Sequence, residues 1–585
     1  MPLNDQESGG FVQKYDFLAE LPSAAFKSLC LKGNRLTLKA GDYLFGQDEI
    51  ADHLYVVMSG SLGVFVDQSG NESKQLIALI GKGEITGEVA IIAGGVRSAD
   101  VIALRDSDLL RISRSRFDIL VKKHPEITIP ISKILATRLR EASRSSTVNI
   151  RPKVVSFIAA TSNVDVYDAA KKVAHCLVQR FNQKVFVQET ETDSLTSKKL
   201  NDLEDDYDLL ILCSYPDQEA WMRRSTRQSD RVCVVTESGV DIPDGLSDLI
   251  AQKSHDHQMI DLFVLYPNEQ VCPRLTQNVL DQIGVNRHFH IRVTEKKDWE
   301  RWSRIITGRS VGLVLSGGGA RAYAHLGAVR ALQEAGIPID YVSGSSMGGI
   351  IAASIAMGWD IDTMEDRIRS CFVETNPLSD YTLPLHGLVR GRKVERLLKE
   401  NFGSVEISDL WLPFFCVSTN LTNASGYIHS RGELCDALRA SISLPGVLPP
   451  VVTPEGVLVD GGVINNLPIL ETTRHCHGPI IAVDVSRDLA LSPAAWKSQI
   501  NQSLWMRMFR PPVISLLLRS GTVSGELQIQ RQSNAAHINL NPPLGPIDIR
   551  NWKNFDETIR LGYDYTKMQM DQNSRLSDLS RLTNG

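Results

Sequence analysis

Hydrophobic and polar positions alternate in three different ways along the chain, and the first pattern is typical of β-strands. Short apolar runs are separated by glycine turns such as Ser69-Gly70-Asn71. The runs are Tyr55–Met58, Leu62–Val66 and Leu76–Ile80. From Ser115 to about Ser145, apolar residues recur at three- and four-residue spacing, which predicts two helices separated around Pro125 and Pro130. The first region is therefore predicted to be β-rich and to end in helices.

A second pattern, in which apolar runs alternate with helical segments, begins at Lys153. A helix is predicted over Tyr167–Phe181. Buried strands are predicted over Val154–Ala159, Lys184–Val187, Leu209–Cys213, Val232–Val235 and Leu262–Tyr266. Strand–helix alternation of this kind favours a parallel α/β sheet. We expect Trp221–Arg224 to begin a surface helix and Thr294–Arg304 to be a polar connector to the next region.

The third pattern again alternates strands with helices. The predicted elements are the strand Val311–Leu315, the helix Ala322–Ala335, the strand Tyr341–Ser343 and the helix Met347–Met357. Together the three patterns predict a multidomain chain. Its domains are a β-rich domain with helices over residues 11–148, a parallel α/β domain over 152–304, and a second α/β domain over 309–570.

Composition and charge exclude some classes of protein. The chain has 585 residues, of which 43% are hydrophobic and 22% charged, and this composition fits folded domains rather than disorder. The net charge of −5 argues against a nucleic-acid-binding protein, which normally carries a basic excess. The cysteines are odd in number and form no CxxC pair. We interpret them as reduced thiols, with neither a disulfide framework nor a metal site.

No segment has the pattern of a signal peptide or of a membrane-spanning helix, which would need roughly 18 apolar residues. We therefore expect a cytoplasmic protein whose contact with a membrane is peripheral, at the inner face. The stretch Leu504–Leu518 is apolar and aromatic with interspersed arginines. That pattern is typical of an interfacial segment and also of a core helix with a proline break. The sequence leaves the oligomeric state open.

The segment Gly344-Ser345-Ser346-Met347-Gly348 is a GxSxG pentapeptide between a predicted strand and a predicted helix. That context is typical of a nucleophilic serine on a tight, strained turn. Ser346 would then stand at a helix N-terminus, whose backbone N–H groups favour a developing negative charge. For the pentapeptide alone, a simple small-residue turn in an α/β domain is the alternative.

Three consecutive glycines, Gly317, Gly318 and Gly319, follow the first strand of the third region. Such a loop lets backbone N–H groups converge on an anion, which is what an oxyanion hole requires. A nucleotide phosphate loop is the competing interpretation, but the GxxxxGK[ST] pattern that it needs is missing from this segment. We therefore predict an oxyanion hole.

Asp460 ends the apolar run Val457–Val459 and is followed by Gly461 and Gly462. A carboxylate at a strand end with glycines behind it can approach a serine closely and accept its proton. A DGG sequence alone is usually only a turn. Its significance here comes from the glycine loop and from Ser346.

These three elements, in this order, resemble the patatin-like phospholipase family. The resemblance implies a Ser-Asp dyad without a catalytic histidine, in which Ser346 is the nucleophile and Asp460 the base. It also implies an oxyanion hole formed by Gly317, Gly318, Gly319 and Arg321. Ala322 departs from the glycine that the family commonly has after the arginine.

Several runs between these motifs look like the neuropathy target esterase subgroup of that family. The runs are Asp380–Pro384, Asp409–Pro413, Ser418–Leu421, Arg439–Pro445 and Asn465–Pro468. This resemblance implies a serine esterase that hydrolyses the acyl ester of lysophospholipids or phospholipids. It implies no required cofactor and a transient contact with a membrane surface.

A Ser…Asp…His triad is the alternative to the dyad. His475, His477 and His537 follow Asp460 in the order that this triad requires. The first two flank Cys476 in a polar stretch that we expect on a surface loop, and the family resemblance favours the dyad. His325 lies near the glycine loop and is expected to be a packed helix histidine.

The first region carries a motif that resembles the phosphate-binding cassette of cyclic-nucleotide-binding domains. The candidate nucleotide-binding residues are Gly87, Glu88, Arg97 and Ser98. A glutamate can accept a hydrogen bond from a ribose hydroxyl, and an arginine can pair with the cyclic phosphate bidentately. The resemblance implies a β-roll and cyclic AMP or cyclic GMP as a regulatory ligand.

The cassette departs from the family pattern at Thr86 and Asp100, and the carboxylate of Asp100 could repel a phosphate or pair with Arg97. A cassette-shaped domain that only docks is therefore an alternative. A second alternative, at the level of the whole chain, is a cyclic-nucleotide sensor that signals through a partner, with hydrolysis secondary.

Residues 153–300 look like the nucleotide-hydrolase-like sheet of the same subgroup. The loop Ala160–Asp165 lies at the phosphate-loop position but has neither glycines nor a Lys-Ser/Thr pair. Such a loop should not hold a triphosphate. We expect a degenerate domain with a structural or relay role.

Overall fold

The computed structural model describes most of the chain and divides it into two compact units. The described residues are 34–66, 75–143, 152–188, 197–240, 259–267, 287–375, 377–382, 387–486, 527–545 and 551–584, with isolated positions between them. The N-terminal unit extends to Gly308, and the C-terminal unit begins at Arg309. Each unit has its own hydrophobic core.

The first part of the N-terminal unit is a β-roll of two antiparallel sheets. One sheet has the strand order β1-β8-β3-β6 and the other β2-β7-β4-β5. The strands are β1 (Asn34–Leu38), β2 (Tyr43–Phe45), β3 (His53–Ser59), β4 (Leu62–Val66), β5 (Gln75–Ile80), β6 (Ile85–Thr86), β7 (Asp100–Ala103) and β8 (Ser107–Ser113). Apolar side chains between the two sheets, among them Val57, Leu62 and Leu109, are fully buried.

Three helices complete this part. They are α1 (Glu88–Ala93), α2 (Arg114–Lys123) and α3 (Thr128–Ser143). The break predicted at Pro125 is present as a single 3-10 turn, Pro125–Ile127. The break predicted at Pro130 is wrong, because Pro130 lies in the first turn of α3, where a helix can lack an N–H donor without losing an internal hydrogen bond.

The second part of the N-terminal unit is a six-stranded parallel sheet in the order β10-β11-β9-β12-β13-β14. The strands are β9 (Val154–Ala159), β10 (Val185–Gln188), β11 (Leu209–Ser214), β12 (Arg231–Glu237), β13 (Met259–Tyr266) and β14 (Arg287–Arg292). The helices are α4 (Val166–Phe181), α5 (Ser197–Asp206), α6 (Glu219–Arg227) and α7 (Lys296–Ile306). The prediction of a parallel α/β sheet is confirmed.

Two local predictions in this part are wrong. The segment predicted as a connector is the amphipathic helix α7, which buries Trp299 and Trp302. The Trp302 ring stacks on Phe157 and Phe263 at centroid distances of 4.9 and 4.1 Å. The helix at Trp221 exists, but its indole is fully buried rather than at the surface, and its N–H donates to a carbonyl of β11 at 2.8 Å.

The C-terminal unit is built on an eight-stranded mixed sheet in the order β19-β20-β17-β16-β15-β21-β22, with β18 paired to β17. The strands are β15 (Gly312–Leu315), β16 (Tyr341–Ser345), β17 (Phe414–Asn420), β18 (Ser425–His429), β19 (Val451–Thr453), β20 (Gly456–Asp460), β21 (Ile480–Val483) and β22 (Ile538–Leu540). Buried side chains such as Leu313, Leu315 and Ile351 form its core.

Helices cover this sheet. They are α8 (Tyr323–Glu334), α9 (Ser346–Ala356), α10 (Ile361–Ile368), α11 (Arg392–Phe402), α12 (Leu434–Ser441), α13 (Ile469–His475), α14 (Phe555–Gln572) and α15 (Ser574–Asn584). A π-helical turn, Arg369–Glu374, directly follows α10. The predicted strands and helices around Ser346 agree with the structure within about two residues.

The register of the central strands determines where the site forms. Ser345, the last residue of β16, lies beside Val417 of the parallel strand β17. Ser418, the next residue of β17, lies opposite Asp460 at the end of the antiparallel strand β20. The ends of β16 and β20 therefore lie on either side of β17. Ser346 is the first residue after β16, and Asp460 is the last residue of β20.

Candidate active site

Ser346 occupies a strained turn between β16 and α9. Its φ angle is 52°, in the left-handed region that a residue with a Cβ rarely adopts. Glycine is required two residues later, because a Cβ on Gly348 would lie 2.4 Å from the carbonyl oxygen of Ser316. The backbone N–H of Ser346 donates to Ser441 Oγ at 3.0 Å. The tight turn predicted from the pentapeptide is therefore present.

The carboxylate of Asp460 lies within hydrogen-bond distance of this serine. Ser346 Oγ donates to Asp460 Oδ2 at 2.6 Å, and the N–H of Gly462 donates to Asp460 Oδ1 at 2.8 Å. Asp460 is 3% exposed. Its burial raises the pKa of the carboxyl group to about 6, although both hydrogen bonds act in the opposite direction. At neutral pH the group is ionised and yet basic enough to accept a proton.

The glycine loop lies directly against the serine. A Cβ on Gly317 would lie 2.9 Å from the Cβ of Ser346. The side chain of Asn466 holds this glycine at both ends, since Oδ1 accepts its N–H at 3.1 Å and Nδ2 donates to its carbonyl at 3.2 Å. The N–H groups of Gly318 and Gly319 have no hydrogen-bond acceptor within the described part of the chain. Within the described residues, these two N–H donors of the loop are therefore unpaired.

The side chain of Arg321 is directed away from the serine. It is 3% exposed, and its guanidinium donates to the carbonyls of Ile547 and Gly545 at 2.7 and 3.0 Å. The guanidinium therefore fixes a neighbouring segment, and only the backbone of Arg321 belongs to the loop. The predicted contribution of this residue to the oxyanion hole is thus limited to positioning the loop.

No histidine is hydrogen-bonded to Ser346 or Asp460 among the described residues. His537 Nδ1 accepts the backbone N–H of Ile480 at 3.2 Å, and the ring of His475 packs on Phe415. The geometry of a Ser…Asp…His triad is therefore not formed.

His325 is a packed histidine, as the sequence suggested. Its Nε2 lies 2.8 Å from the carbonyl oxygen of Ser316, at the start of the glycine loop. Complete burial lowers the pKa of His325 to about 4, so the neutral ring donates its N–H to that carbonyl. The ring stabilises the loop and carries no charge near the serine.

Sequence reasoning missed two residues that support the site, Ser441 and Asn466. Ser441 Oγ accepts the N–H of Ser346 and donates to the carbonyl of Val417 at 2.7 Å, so it connects the serine to the central strand. Both residues lie in runs that resemble the esterase subgroup. The resemblance of these runs to the subgroup therefore indicated that they matter for the site. It did not show which of their side chains contacts Ser346 or the glycine loop.

The nucleotide cassette has its expected backbone but not free side chains. Gly87 has a φ of 80° and precedes α1. The guanidinium of Arg97 is 3% exposed, donates to the carbonyls of Gly87 and His53 at 3.1 and 2.7 Å, and lies over the ring of Phe45 at 4.1 Å. Ser98 is exposed. The arginine is thus occupied by the protein itself.

Glu88 is occupied in a similar way. Its carboxylate is fully buried and accepts a hydrogen bond from Arg138 of α3, which also donates to the carbonyl of Ile85 at 2.7 Å. Asp100 does not pair with Arg97 in any contact described, and its Oδ1 accepts the N–H of Gln47 at 2.7 Å. Glu88 and Arg97 therefore have internal partners, whereas Ser98 is exposed.

Within the described ranges, no cluster of three or more His, Cys, Asp or Glu side chains could hold a metal ion. Nor does any helix in those ranges have the length and apolar character needed to cross a membrane. The stretch Leu504–Leu518, predicted as an interfacial or core segment, lies outside the described residues.

Three family models match successive parts of the chain. The cyclic nucleotide-binding domain model matches residues 35–124, the Neuropathy Target Esterase family P-loop like domain model matches 153–311, and the patatin-like phospholipase model matches 313–473. The C-terminal unit is therefore a patatin-like phospholipase domain. The predicted multidomain fold class of β-roll, parallel α/β domain and patatin-like domain is confirmed.

Individual relatives match nearly the whole chain. An uncharacterized NTE family protein of Mycobacterium tuberculosis is 30% identical over 579 residues, covering 93% of this chain and 93% of that protein. Lysophospholipase NTE1 of Phaeosphaeria nodorum is 28% identical over 634 residues, covering 91% of this chain and 42% of the fungal protein. The chain belongs to the NTE family, and it spans less than half the length of that fungal relative.

The N-terminal part also resembles solved structures. The catabolite activator protein of Thermus thermophilus is 25% identical, covers 28% of this chain and 71% of its own, and superposes with a TM-score of 0.21. This score is too low to support an argument about the fold. The family models agree with the prediction of a lipid ester hydrolase.

Proposed function

We propose that the chain hydrolyses the acyl ester of lysophospholipids or phospholipids through Ser346 and Asp460. The observation that supports this most directly is the 2.6 Å hydrogen bond from Ser346 Oγ to the buried Asp460 Oδ2. The N–H groups of Gly318 and Gly319, which have no acceptor within the described residues, are a second support. A serine hydroxyl bonded to a buried base is the arrangement that nucleophilic catalysis requires.

In the proposed mechanism, Ser346 Oγ attacks the ester carbonyl carbon while Asp460 takes the hydroxyl proton. The negative charge that forms on the carbonyl oxygen is stabilised by the N–H groups of Gly318 and Gly319 and by the N-terminal end of α9. The C–O bond then breaks, and the protonated Asp460 gives its proton to the departing alcohol. Asp460 next deprotonates a water molecule, which hydrolyses the acyl-enzyme and releases the fatty acid.

The substrate class is supported by the family. The fungal relatives are named lysophospholipases, and the three matched models occur in this chain in the same order as the predicted domains. A lysophospholipid is an amphiphile, so we also propose transient contact with a membrane surface from the cytoplasmic side. Sedimentation with phosphatidylcholine vesicles tests this contact, and protein that stays in the supernatant at every lipid concentration would overturn it.

The activity is tested by fatty-acid release from lysophosphatidylcholine. We expect Ser346→Ala to lower kcat by at least about three orders of magnitude, because the nucleophile is removed. Ser425→Ala is the matched control, since Ser425 is an exposed serine on β18 whose hydroxyl bonds only to Asn423. Equal release by wild type and Ser346→Ala would contradict the proposal.

We further propose that a cyclic nucleotide acts as a regulatory ligand only after it displaces internal partners. In the structure, Arg97 is bound to two carbonyls, and Glu88 is bound to Arg138. A ligand that binds only a rearranged state has its affinity reduced by the fraction of the protein in that state. Binding should therefore be weak and coupled to a movement of α3.

Calorimetric titration with cyclic AMP and cyclic GMP tests this regulation. We expect Arg138→Gln to bind at least one of the nucleotides more tightly than wild type, because the variant frees Glu88. Arg116→Gln, an exposed arginine of α2, serves as the control. If neither wild type nor Arg138→Gln releases heat with cyclic AMP or cyclic GMP, the cassette binds no nucleotide and the regulatory proposal is wrong.

A further inference from the structure

A pocket with apolar walls lies in the C-terminal unit beside the nucleophile helix. It encloses about 450 Å³ of empty space, part of which is open solvent. Side chains of α9, the π-helical turn and α11 form its walls. Phe372, Val394, Leu397, Leu398, Phe402 and Ile442 are among them.

The pocket follows the helix face that begins with the nucleophile. Ile350 and Ser354 line it, and they stand four and eight residues after Ser346 on α9. Residues at this spacing share one face of a helix. Ile442 also lines the pocket, and the residue before it, Ser441, binds the N–H of Ser346. The pocket wall therefore begins about one helical turn after Ser346 on α9 and one residue after Ser441.

The polar side chains of the wall are already paired within the protein. Ser354 Oγ donates to the carbonyl of Ile350 at 3.0 Å, and the Asn401 amide donates to the carbonyl of Leu397 at 2.9 Å. Arg367 donates to the carbonyl of Asn401 and stacks over a tryptophan ring. A ligand would therefore find apolar surface and few free hydrogen-bonding groups, which suits an aliphatic chain rather than a polar head group.

The wall opposite α9 includes irregular backbone. The π-helical turn Arg369–Glu374 carries Cys371 and Phe372 into the pocket. Insertions of this kind in an α-helix occur frequently at functional sites. The π-helical turn directly follows α10 and has a wider backbone than a regular continuation of that helix would have.

We propose that this pocket binds the acyl chain of the substrate while its ester lies at Ser346. The proposal rests on the hydrolytic function proposed above and adds to it the site that selects the chain. Burial of a methylene group stabilises a complex by a constant increment. The pocket therefore favours long-chain esters over short-chain esters at the same catalytic residues.

The first test compares the hydrolysis of p-nitrophenyl palmitate and p-nitrophenyl butyrate. Leu397 lines the pocket and is only half-buried, so Leu397→Trp can fill the pocket without replacing a core side chain. We expect the palmitate-to-butyrate ratio of kcat/KM to fall by about tenfold. Arg396→Trp, at the exposed neighbouring position of α11, should keep the wild-type ratio. An unchanged ratio in a folded Leu397→Trp protein would overturn the proposal.

The second test needs no hydrolysis and uses Cys371 as a reporter. Cys371 is partly exposed, whereas the other cysteines in the described ranges are buried. In the Ser346→Ala background, long-chain lysophosphatidylcholine below its micellar concentration should slow alkylation of Cys371 by iodoacetamide, followed by peptide mass spectrometry. Glycerophosphocholine, which has no acyl chain, should have no effect. Equal alkylation rates with and without the lysophospholipid would show that the chain binds elsewhere.

The two tests separate this proposal from the proposed function. If Ser346→Ala retains full hydrolysis, the function is wrong, whereas protection of Cys371 would still support chain binding. If Ser346→Ala is inactive but neither the chain-length ratio nor the alkylation responds, the function holds and the pocket proposal is wrong.

Discussion

The carboxyl group of Asp460 combines burial with a short hydrogen bond to the nucleophile, and this environment predicts how activity depends on pH. Its pKa is raised to about 6, and the group acts as a base only when it is ionised. As pH falls below about 6, Asp460 takes up a proton. The value of kcat/KM should then fall about tenfold for each pH unit. Above about 7 the base is fully ionised, and the profile should be flat until another group titrates.

The measurement is kcat/KM for p-nitrophenyl butyrate, a neutral ester, between about pH 5 and 8. Circular dichroism at each pH serves as the control, because unfolding in acid would also lower the rate. A profile that stays flat through pH 6 in folded protein would argue that Asp460 does not act as the base. Asp460→Asn should be inactive at every pH.

At the scale of residues, the sequence predicted those parts of the site that short motifs encode. Ser346 and Asp460 each stand in a local pattern of strand end and glycine that specifies the turn. Ser441, at the end of α12, and Asn466, before α13, are distant in sequence from Ser346 and Gly317, so no local pattern indicates these contacts. Arg97 was predicted to bind a nucleotide, and in the structure its guanidinium donates to two carbonyls of the protein. A sequence cannot show which of these partners a guanidinium takes.

Among secondary-structure elements, strands and buried helices were predicted best, and an amphipathic helix was missed. In α7 the tryptophans and isoleucines recur at three- and four-residue spacing, as a helix with one buried face requires. The charged residues between them concealed this pattern and suggested a polar connector. Long apolar runs such as β9, in contrast, have nearly the same boundaries in prediction and structure.

The helices α8 and α14 are in such close contact that adding one methyl group at the contact should destabilise the fold. Both helices have glycine at the contact, and a Cβ on Gly327 would lie 2.0 Å from the carbonyl oxygen of Ile559. The opposing atom is backbone and cannot rotate away, so the helices must separate. We expect Gly327→Ala to destabilise the C-terminal unit by about 3 kcal/mol, the upper end of the range for overpacking.

Urea unfolding measures this effect, with loss of p-nitrophenyl butyrate hydrolysis as the probe of the C-terminal unit. Gly426→Ala is the matched control, because a Cβ at this position of β18 would meet no atom within 4 Å. We expect its midpoint to equal that of wild type. Equal midpoints for Gly327→Ala and Gly426→Ala would show that the two helices can separate at little cost.

For the whole molecule, the sequence predicted three domains, and in the structure the first two belong to one compact unit. Arg105, between β7 and β8, connects them. Its guanidinium forms two hydrogen bonds with Glu204 of α5, at 2.6 and 2.8 Å, and its Nε lies 3.1 Å from Asp230 before β12. All three side chains are 3% exposed. The pairing of distant charges could not be predicted from a sequence without homologues.

Asp230 joins this ion cluster to the start of the parallel sheet. Its Oδ2 accepts the N–H groups of Lys153 and Val154 at 2.7 and 3.0 Å, and its Oδ1 accepts a hydrogen bond from Ser61 of the β-roll. Burial acts to raise the pKa of Asp230, but the charge of Arg105 and these hydrogen bonds hold it below its usual value. The β-roll and the sheet are therefore connected through buried groups that depend on one guanidinium.

Removal of that guanidinium should destabilise the N-terminal unit strongly. In Arg105→Met, Glu204 and Asp230 remain buried without their cation, and breaking a buried ion pair in this way costs about 3–5 kcal/mol. The control is Arg227→Met, which removes a pair with Asp106 at the same junction. The side chains of Arg227 and Asp106 are 49% and 25% exposed, so solvent screens the pair and its loss should cost less than about 1 kcal/mol. Hydrogen exchange of the buried strand β11 in urea, followed by peptide mass spectrometry, reports the stability of the N-terminal unit in both variants.

The pH dependence of the Arg105→Met defect separates an electrostatic cause from a packing cause. Without the cation, the burial of Asp230 raises the pKa of its carboxyl group in the folded state, so the folded variant binds a proton more tightly. Its stability deficit relative to wild type should therefore shrink as pH falls from about 7 to 5. A second substitution, Glu204→Gln, should recover part of the loss at neutral pH, because it removes one of the two unpaired charges. A deficit that is independent of pH and not reduced by Glu204→Gln would mean that the arginine stabilises the junction by packing rather than by charge.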